Sequence, residues 1–175
     1  MEATMKPSTT ARNALVASVA ALVALAPAHA DSAGMLPRDT PSAYLQECAS
    51  CHVGFPPGML PARSWQRVMS GLAKHYGSDA SLDAALEQQI GDWLQKHAGT
   101  YKRVREEPPQ DRITRSEWFE RKHRKLAPSV WADPRVKSRA NCAACHPGAE
   151  QGNYDEDELR LPQGLDARQR RAWFD

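Results

Sequence analysis

Two cysteines separated by two residues and followed directly by a histidine occur twice in this chain: Cys48-Ala49-Ser50-Cys51-His52 and Cys142-Ala143-Ala144-Cys145-His146. Three chemistries are open to such a stretch. A close thiol pair can act as a redox dithiol. Four thiols brought together can hold zinc. Alternatively, each pair can add to the two vinyl groups of one porphyrin, with the next histidine under the iron as proximal ligand. That is the C-x-x-C-H attachment pattern of c-type haem. A redox dithiol is expected inside a βαβ pattern, and none is visible. A zinc site would pool Cys48, Cys51, Cys142 and Cys145 and leave His52 and His146 without a role. Attachment of two haems uses all four cysteines and both histidines, with no cysteine left over.

A sixth iron ligand has few candidates. Apart from His52 and His146, the chain after residue 30 offers His75, His97 and His123, and the methionines Met35, Met59 and Met69. Methionine opposite histidine raises the potential of a c-type haem relative to a histidine pair. No methionine follows Met69, so a local partner for the second haem is a histidine, and His123 is the nearest one on a helix. For the first haem His75, His97, Met59 and Met69 stay in contention. Met69 falls inside an apolar stripe and reads as core.

The first thirty residues have the pattern of an export signal. Lys6 and Arg12 precede an uncharged apolar run over 14–26, and Ala28-His29-Ala30 forms an A-x-A cleavage site. Cleavage after Ala30 is expected, leaving a periplasmic protein. The run is shorter than the roughly 20 apolar residues a span needs. An exported location suits haem attachment, which takes place outside the bacterial cytoplasm. The whole chain has 23 Lys and Arg against 21 Asp and Glu; without Lys6, Arg12 and Glu2 the balance is 21 to 20. Near-neutrality argues against a general nucleic-acid binder.

The elements that must position these residues read as helices joined by loops, with no alternating strand. Thr40-Pro41 is expected to start a helix that runs into the first motif. The Gly- and Pro-rich stretch 54–61 should loop around a haem edge. Residues 63–76 form a second helix with Trp65, Val68, Met69 and Leu72 on one stripe and His75 at its edge. Ser81 should cap a third, from residue 82 to 96, with His97 at its frayed end. Residues 101–112, rich in charge and proline, read as a solvated connection between two haem-bearing halves, 31–104 and 105–175. Thr114 and Glu117 fit a capping box for a fourth helix anchored by Trp118 and Phe119, with His123 one turn beyond. Pro128 should end it, and Asp133-Pro134 should start a short helix into the second motif. The acidic run 155–158 and the basic tail with Trp173-Phe174 read as exposed surface.

Several runs carry a family likeness. Residues 44–52 followed by Phe55-Pro56-Pro57, then 60–65, His75-Tyr76-Gly77 and 79–83, resemble the small soluble dihaem cytochromes c. Trp118-Phe119, His123, Trp131, Asn141-Cys142, Cys145-His146 and Ala149-Glu150 do so as well. The likeness runs from about Tyr44 to Pro162. It implies a mainly α protein of two small haem-binding domains, the first folded like a class I cytochrome c. It also implies two c-type haems held by Cys48, Cys51, Cys142 and Cys145, with irons ligated by His52 with His75 and by His146 with His123.

Irons filled by two histidines exchange electrons but have no open position for a substrate. The expected function is therefore electron transfer through two haems. The resemblance implies a membrane cytochrome b as donor and a small oxygen-binding monohaem cytochrome c as acceptor. Arg121, Lys122, Arg124 and Lys125, flanking His123, could steer an acidic partner. The competing class is a dihaem oxidoreductase or peroxidase with one displaceable ligand, but no distal acid–base pair for it is evident. A haem-storage or assembly role has no sequence feature for or against it.

Overall fold

The computed structural model describes residues 34–165, so the expected export signal and the tail beyond residue 165 lie outside the described residues. The described chain is helical without strands: α1 Ser42–Cys48, α2 Ala62–Ser70, α3 Ala84–Lys96, α4 Glu117–Lys122 and α5 Pro128–Trp131. Single 3-10 turns link them, and one isolated bridge joins His75 to Ser78.

The first half packs α1, α2 and α3 around one apolar cluster. Tyr44, Trp65, Met69, Leu72, Ile90, Trp93 and Leu94 are buried in it, with Met59, Leu60 and Ile113. The ring of Tyr44 lies 4.7 Å from that of Trp93. Tyr44 Oη donates to the Phe55 carbonyl at 2.6 Å, and Trp65 Nε1 to the Pro57 carbonyl at 2.7 Å. A proline-rich loop cannot bond itself as a helix does, so these side chains satisfy its carbonyls and hold it on the core.

Helix boundaries differ from the sequence expectations in ways the hydrogen bonds explain. Thr40 does not cap α1: its hydroxyl turns back to the Pro37 carbonyl at 2.6 Å, and the helix begins after Pro41. The stretch 63–76 is not one helix. α2 stops at Gly71, and a 3-10 turn over Leu72–Lys74 follows. Asp83, not Ser81, caps α3, its carboxylate accepting from the amides of Ala85 and Leu86, both at 3.0 Å. A charged acceptor also meets the positive end of the helix dipole, which Ser81 could not do. α4 is capped by Ser116, whose hydroxyl accepts from Phe119 N at 3.1 Å; Thr114 lies in the preceding 3-10 turn. Glu106, from the connecting segment, accepts from Glu117 N at 2.8 Å and satisfies a second helix amide.

Pro128 begins α5 at its first position instead of ending a segment. Asp133-Pro134 starts no helix. Asp133 is taken by Arg135, through Nε at 2.7 Å and Nη2 at 2.6 Å.

The connection over 101–112 is docked, not merely solvated. Arg67 of α2 grips Asp111 through two bonds at 2.6 and 2.8 Å and Glu107 through one at 2.7 Å. Tyr76 Oη reaches the carbonyls of Gln110 and Asp111, both at 3.1 Å, and the Arg112 guanidinium covers the Tyr76 ring at 4.1 Å. Contacts also run between the first described residues and the second half. Met35 N donates to the Gly152 carbonyl at 2.8 Å. Gly152 has φ +72°, and a Cβ there would stand 2.7 Å from Leu36 N, so only glycine lets the leader approach. The leader 34–38 is therefore tied to the second half.

From α4 onward the buried apolar residues among the described ones are few: Phe119, Val130, Val136, Ala149 and Leu165. The acidic run forms a 3-10 turn, Glu156–Glu158, in which the exposed Glu156 pairs with Lys122 of α4.

Candidate haem sites

Each C-x-x-C-H motif follows a point where regular structure gives out. Cys48 is the last residue of α1, and His52 sits in the bend beyond it. Cys142 opens a 3-10 turn, and His146 N bonds back to the Cys142 carbonyl at 2.8 Å. The four thiols are free. Burial pushes Cys48 and Cys142 up to about 11, and the acidic Glu47 adds to the shift at Cys48. A redox dithiol depends on a lowered thiol pKa, so these neutral thiols speak against that reading. Among the described residues no three His, Cys, Asp or Glu side chains form a group able to hold a bare metal ion, so the four thiols do not assemble a zinc site.

The histidines come together in two pairs. The ring centroids of His52 and His75 are 6.3 Å apart, with planes 25° from parallel. Those of His123 and His146 are also 6.3 Å apart, but their planes cross at 72°. Two imidazoles bound on opposite sides of one metal, with bonds of about 2 Å, place their centroids about 6 Å apart. Both pairs fit an iron between them.

The supporting bonds fit that role too. His52 Nδ1 donates to the Val53 carbonyl at 2.7 Å, and His123 Nδ1 to the Phe119 carbonyl at 2.9 Å. In that tautomer Nε2 keeps its lone pair for a metal. Burial pushes the His75, His123 and His146 pKa values down, that of His146 to about 4. At His75 and His146 the other histidine of the pair adds to the shift. These imidazoles are neutral at pH 7, as ligands must be.

The two partner histidines are placed by different means. His75 follows the 3-10 turn over Leu72–Lys74, in a loop closed by Ser78 N to its own carbonyl at 3.0 Å and Ala80 N to the Leu72 carbonyl at 2.9 Å. Tyr76 at φ +51° and Gly77 at φ +105° turn the chain there. His123 terminates α4. It stacks on Phe119 at 4.0 Å, and Trp131 of α5 lies 5.7 Å away.

His97 is engaged elsewhere: its Nε2 meets Asp39 at 3.0 Å, beside the Lys96–Asp39 bridge, and Trp93 covers its ring. Met69 is buried in the first core, as the apolar stripe indicates. Met59 is buried as well, and it borders the second histidine pair.

A cavity of about 540 Å³ holds that second pair. The size lies within the roughly 300–1,000 Å³ of cofactor sites. Cys142, Cys145, Phe119 and Trp131 line it, and so do Phe55 and Met59 from the proline loop of the first half. The Phe55 ring is also 4.9 Å from the His52 ring, so the two sites share a wall. Sequence reasoning assigned the loop to one haem edge and missed its contact with both. It also missed Arg139 and Tyr154, which line the same cavity. Their position near the second motif was the only signal.

Helices without strands, two attachment motifs and two histidine pairs define a c-type cytochrome with two haem positions. Comparison with known proteins is specific: residues 44–154 match the dihaem cytochrome c family, and the chain belongs to it. A dihaem cytochrome c from Shewanella baltica is similar in structure, with a TM-score of 0.62 and 34% identity over 71% of this chain and 96% of that one. Two structures of the dihaem cytochrome c from Rhodobacter sphaeroides are similar at TM-scores of 0.57 and 0.60. They are 40% and 38% identical, each over 66% of this chain and 97% and 98% of theirs. No curated protein matches. The chain carries two c-type haems.

Proposed function

We propose that this protein is a periplasmic electron carrier whose two haems are both ligated by histidine pairs, His52 with His75 and His146 with His123. The observation that carries the proposal is the matched 6.3 Å separation of the two pairs on either side of a shared Phe55 wall. Cys48 and Cys51, and Cys142 and Cys145, hold the groups covalently. When bound, each haem supplies a one-electron couple between ferric and ferrous iron. The chain does the rest. Nδ1 bonds from His52 and His123 fix two of the imidazoles against rotation. Phe119 and Trp131 clamp His123 and keep water from its face. Phe55 keeps the two sites in direct contact through protein atoms.

Among the described residues no helix is long and apolar enough to cross a membrane. A membrane cytochrome b as donor and a small oxygen-binding monohaem cytochrome c as acceptor belong to the same proposal. The basic cluster beside His123 is exposed and offers an acidic partner a docking edge. Glu156 neutralises Lys122, leaving Arg121, Arg124 and Lys125 as the free charges of that face among the described residues. Stopped-flow reduction of such an acceptor tests the steering. Replacing Arg121, Arg124 and Lys125 with glutamine should slow it at low salt and flatten its salt dependence; an unchanged rate and salt slope removes this surface from the proposal.

A further inference from the structure

Three buried polar atoms at the cavity around His123 and His146 have no partner among the described residues: Arg139 Nε, Tyr154 Oη and His146 Nδ1, the last on a ring already read as an iron ligand. The Arg139 side chain is held on three sides. Its Nη2 meets Glu120 at 2.7 Å, and its guanidinium lies 5.2 Å from the Phe119 ring and 5.1 Å from the Trp131 ring. These contacts leave Nε as a fixed donor at a wall that also carries Arg103, Lys122, Arg124, Lys125 and Glu156, and of these cations Arg139 alone, among the described residues, has a buried nitrogen without a partner. Glu120 is 54% exposed, so solvent screens its charge and it offsets the guanidinium only in part on the cavity side. A buried donor left unmatched is costly, and one on a cation more so, which points to an anionic acceptor supplied by whatever fills the cavity. A haem carries two carboxylates and no other anionic group at its periphery.

We infer that Arg139 is a carboxylate clamp for the second haem, its Nε–H donating to a propionate, with Tyr154 Oη as the second donor. The inference rests on the reading that this haem lies between His123 and His146. Arg139 thereby sets the charge felt by that iron. Pairing with the guanidinium neutralises a propionate that would otherwise stabilise the ferric state, so the residue raises the potential of the second haem and leaves the first untouched. The pairing also holds the propionate ionised across the neutral pH range.

The test uses the exported holoprotein, with haem carrying carbon-13 in its carboxyl groups, and follows both midpoint potentials from pH 5 to pH 9. In Arg139→Gln the second haem's potential should fall and become pH-dependent, as the released propionate titrates in that range, while the first haem's stays put. Its carboxylate infrared band should shift. Tyr154→Phe should act in the same sense, more weakly. Arg139→Lys keeps a charge but not the Nε donor; it should hold most of the potential and still shift the band. An unchanged second potential, pH profile and carboxylate band in Arg139→Gln overturns the clamp, and a wild-type band in Arg139→Lys overturns the Nε assignment. The low-spin spectrum of the wild-type protein reports the histidine pair independently. A failure of the ligand reading therefore appears there, and a failure of the clamp in the potentials and the band.

Discussion

His75 and His123 have the same task and opposite surroundings. His75 hangs in a loop whose turn depends on Gly77 and Tyr76, whereas His123 is pinned by its own helix and two aromatic rings. Replacing either with methionine should raise the potential of its own haem, because a thioether donates less to ferric iron than an imidazole. Spectroelectrochemistry should show one shifted midpoint and one unshifted midpoint in each variant; shifts in both, or in neither, would contradict the pairing. Phe119 underlies the second site and is buried. Phe119→Ala should cost about 3–5 kcal/mol of stability, read by thermal unfolding, and should broaden the second haem's spectrum first. The attachment residues were legible in the sequence because the chemistry demands cysteine and histidine at fixed spacing. Arg139, Tyr154 and Phe55 were not, since their roles arise only when the two halves are brought around one cavity.

The existence of α1 to α4 was readable in the sequence, while α5, the missing helix at Asp133-Pro134 and the caps were not. Ser81, Thr114 and Thr40 are good capping residues by type, but Asp83, Ser116 and Pro41 hold the positions. Several acceptors of similar quality lie within three residues of each start, and tertiary contacts choose between them: Glu106 reaches Glu117 N from eleven residues away. Asp83→Ala and Ser116→Ala should each cost about 1 kcal/mol, a fall of roughly 3 °C in Tm for a chain of this size. Ser81→Ala and Thr114→Ala should be close to neutral. The reverse ranking would put the caps back where the sequence alone suggests them.

The end of α3 supplies a pH dependence. Hydrogen bonds from Lys96 and then His97 hold Asp39 down to about 2, below its usual 3.8. A carboxyl depressed on folding contributes stability above its unfolded pKa and loses it as pH falls toward the folded value. Amide exchange of residues 34–40 should therefore be flat from pH 7 to pH 4 once corrected for intrinsic rates, and accelerate below. Asp39→Asn should show the fast exchange already at pH 7. Identical profiles for the two proteins would remove the link.

At the scale of the whole molecule, the two halves are unequal. The first has a cluster built from three helices, and the second has a handful of buried apolar residues around a cavity. A half so poor in core needs the apolar disc of its haem as much as any side chain. Cys142→Ala with Cys145→Ala, made without haem at that site, should leave the first half resistant to limited proteolysis and open residues 117–165 to cleavage. The fold class was legible in the pattern of helices and motifs. The tied leader, the docked connection and the shared wall were not, because each depends on a contact between residues far apart in sequence.

The most direct test of the account is electron paramagnetic resonance of the oxidised holoprotein. Near-parallel imidazole planes give a rhombic low-spin signal, and near-perpendicular planes give a strongly anisotropic one dominated by a single large g value. The 25° and 72° interplanar angles predict one signal of each kind in equal amounts. His75→Met should remove the rhombic one and His123→Met the anisotropic one. A high-spin component, or a histidine–methionine signal in the wild-type protein, would contradict the account and turn attention to a haem with an open or displaceable position.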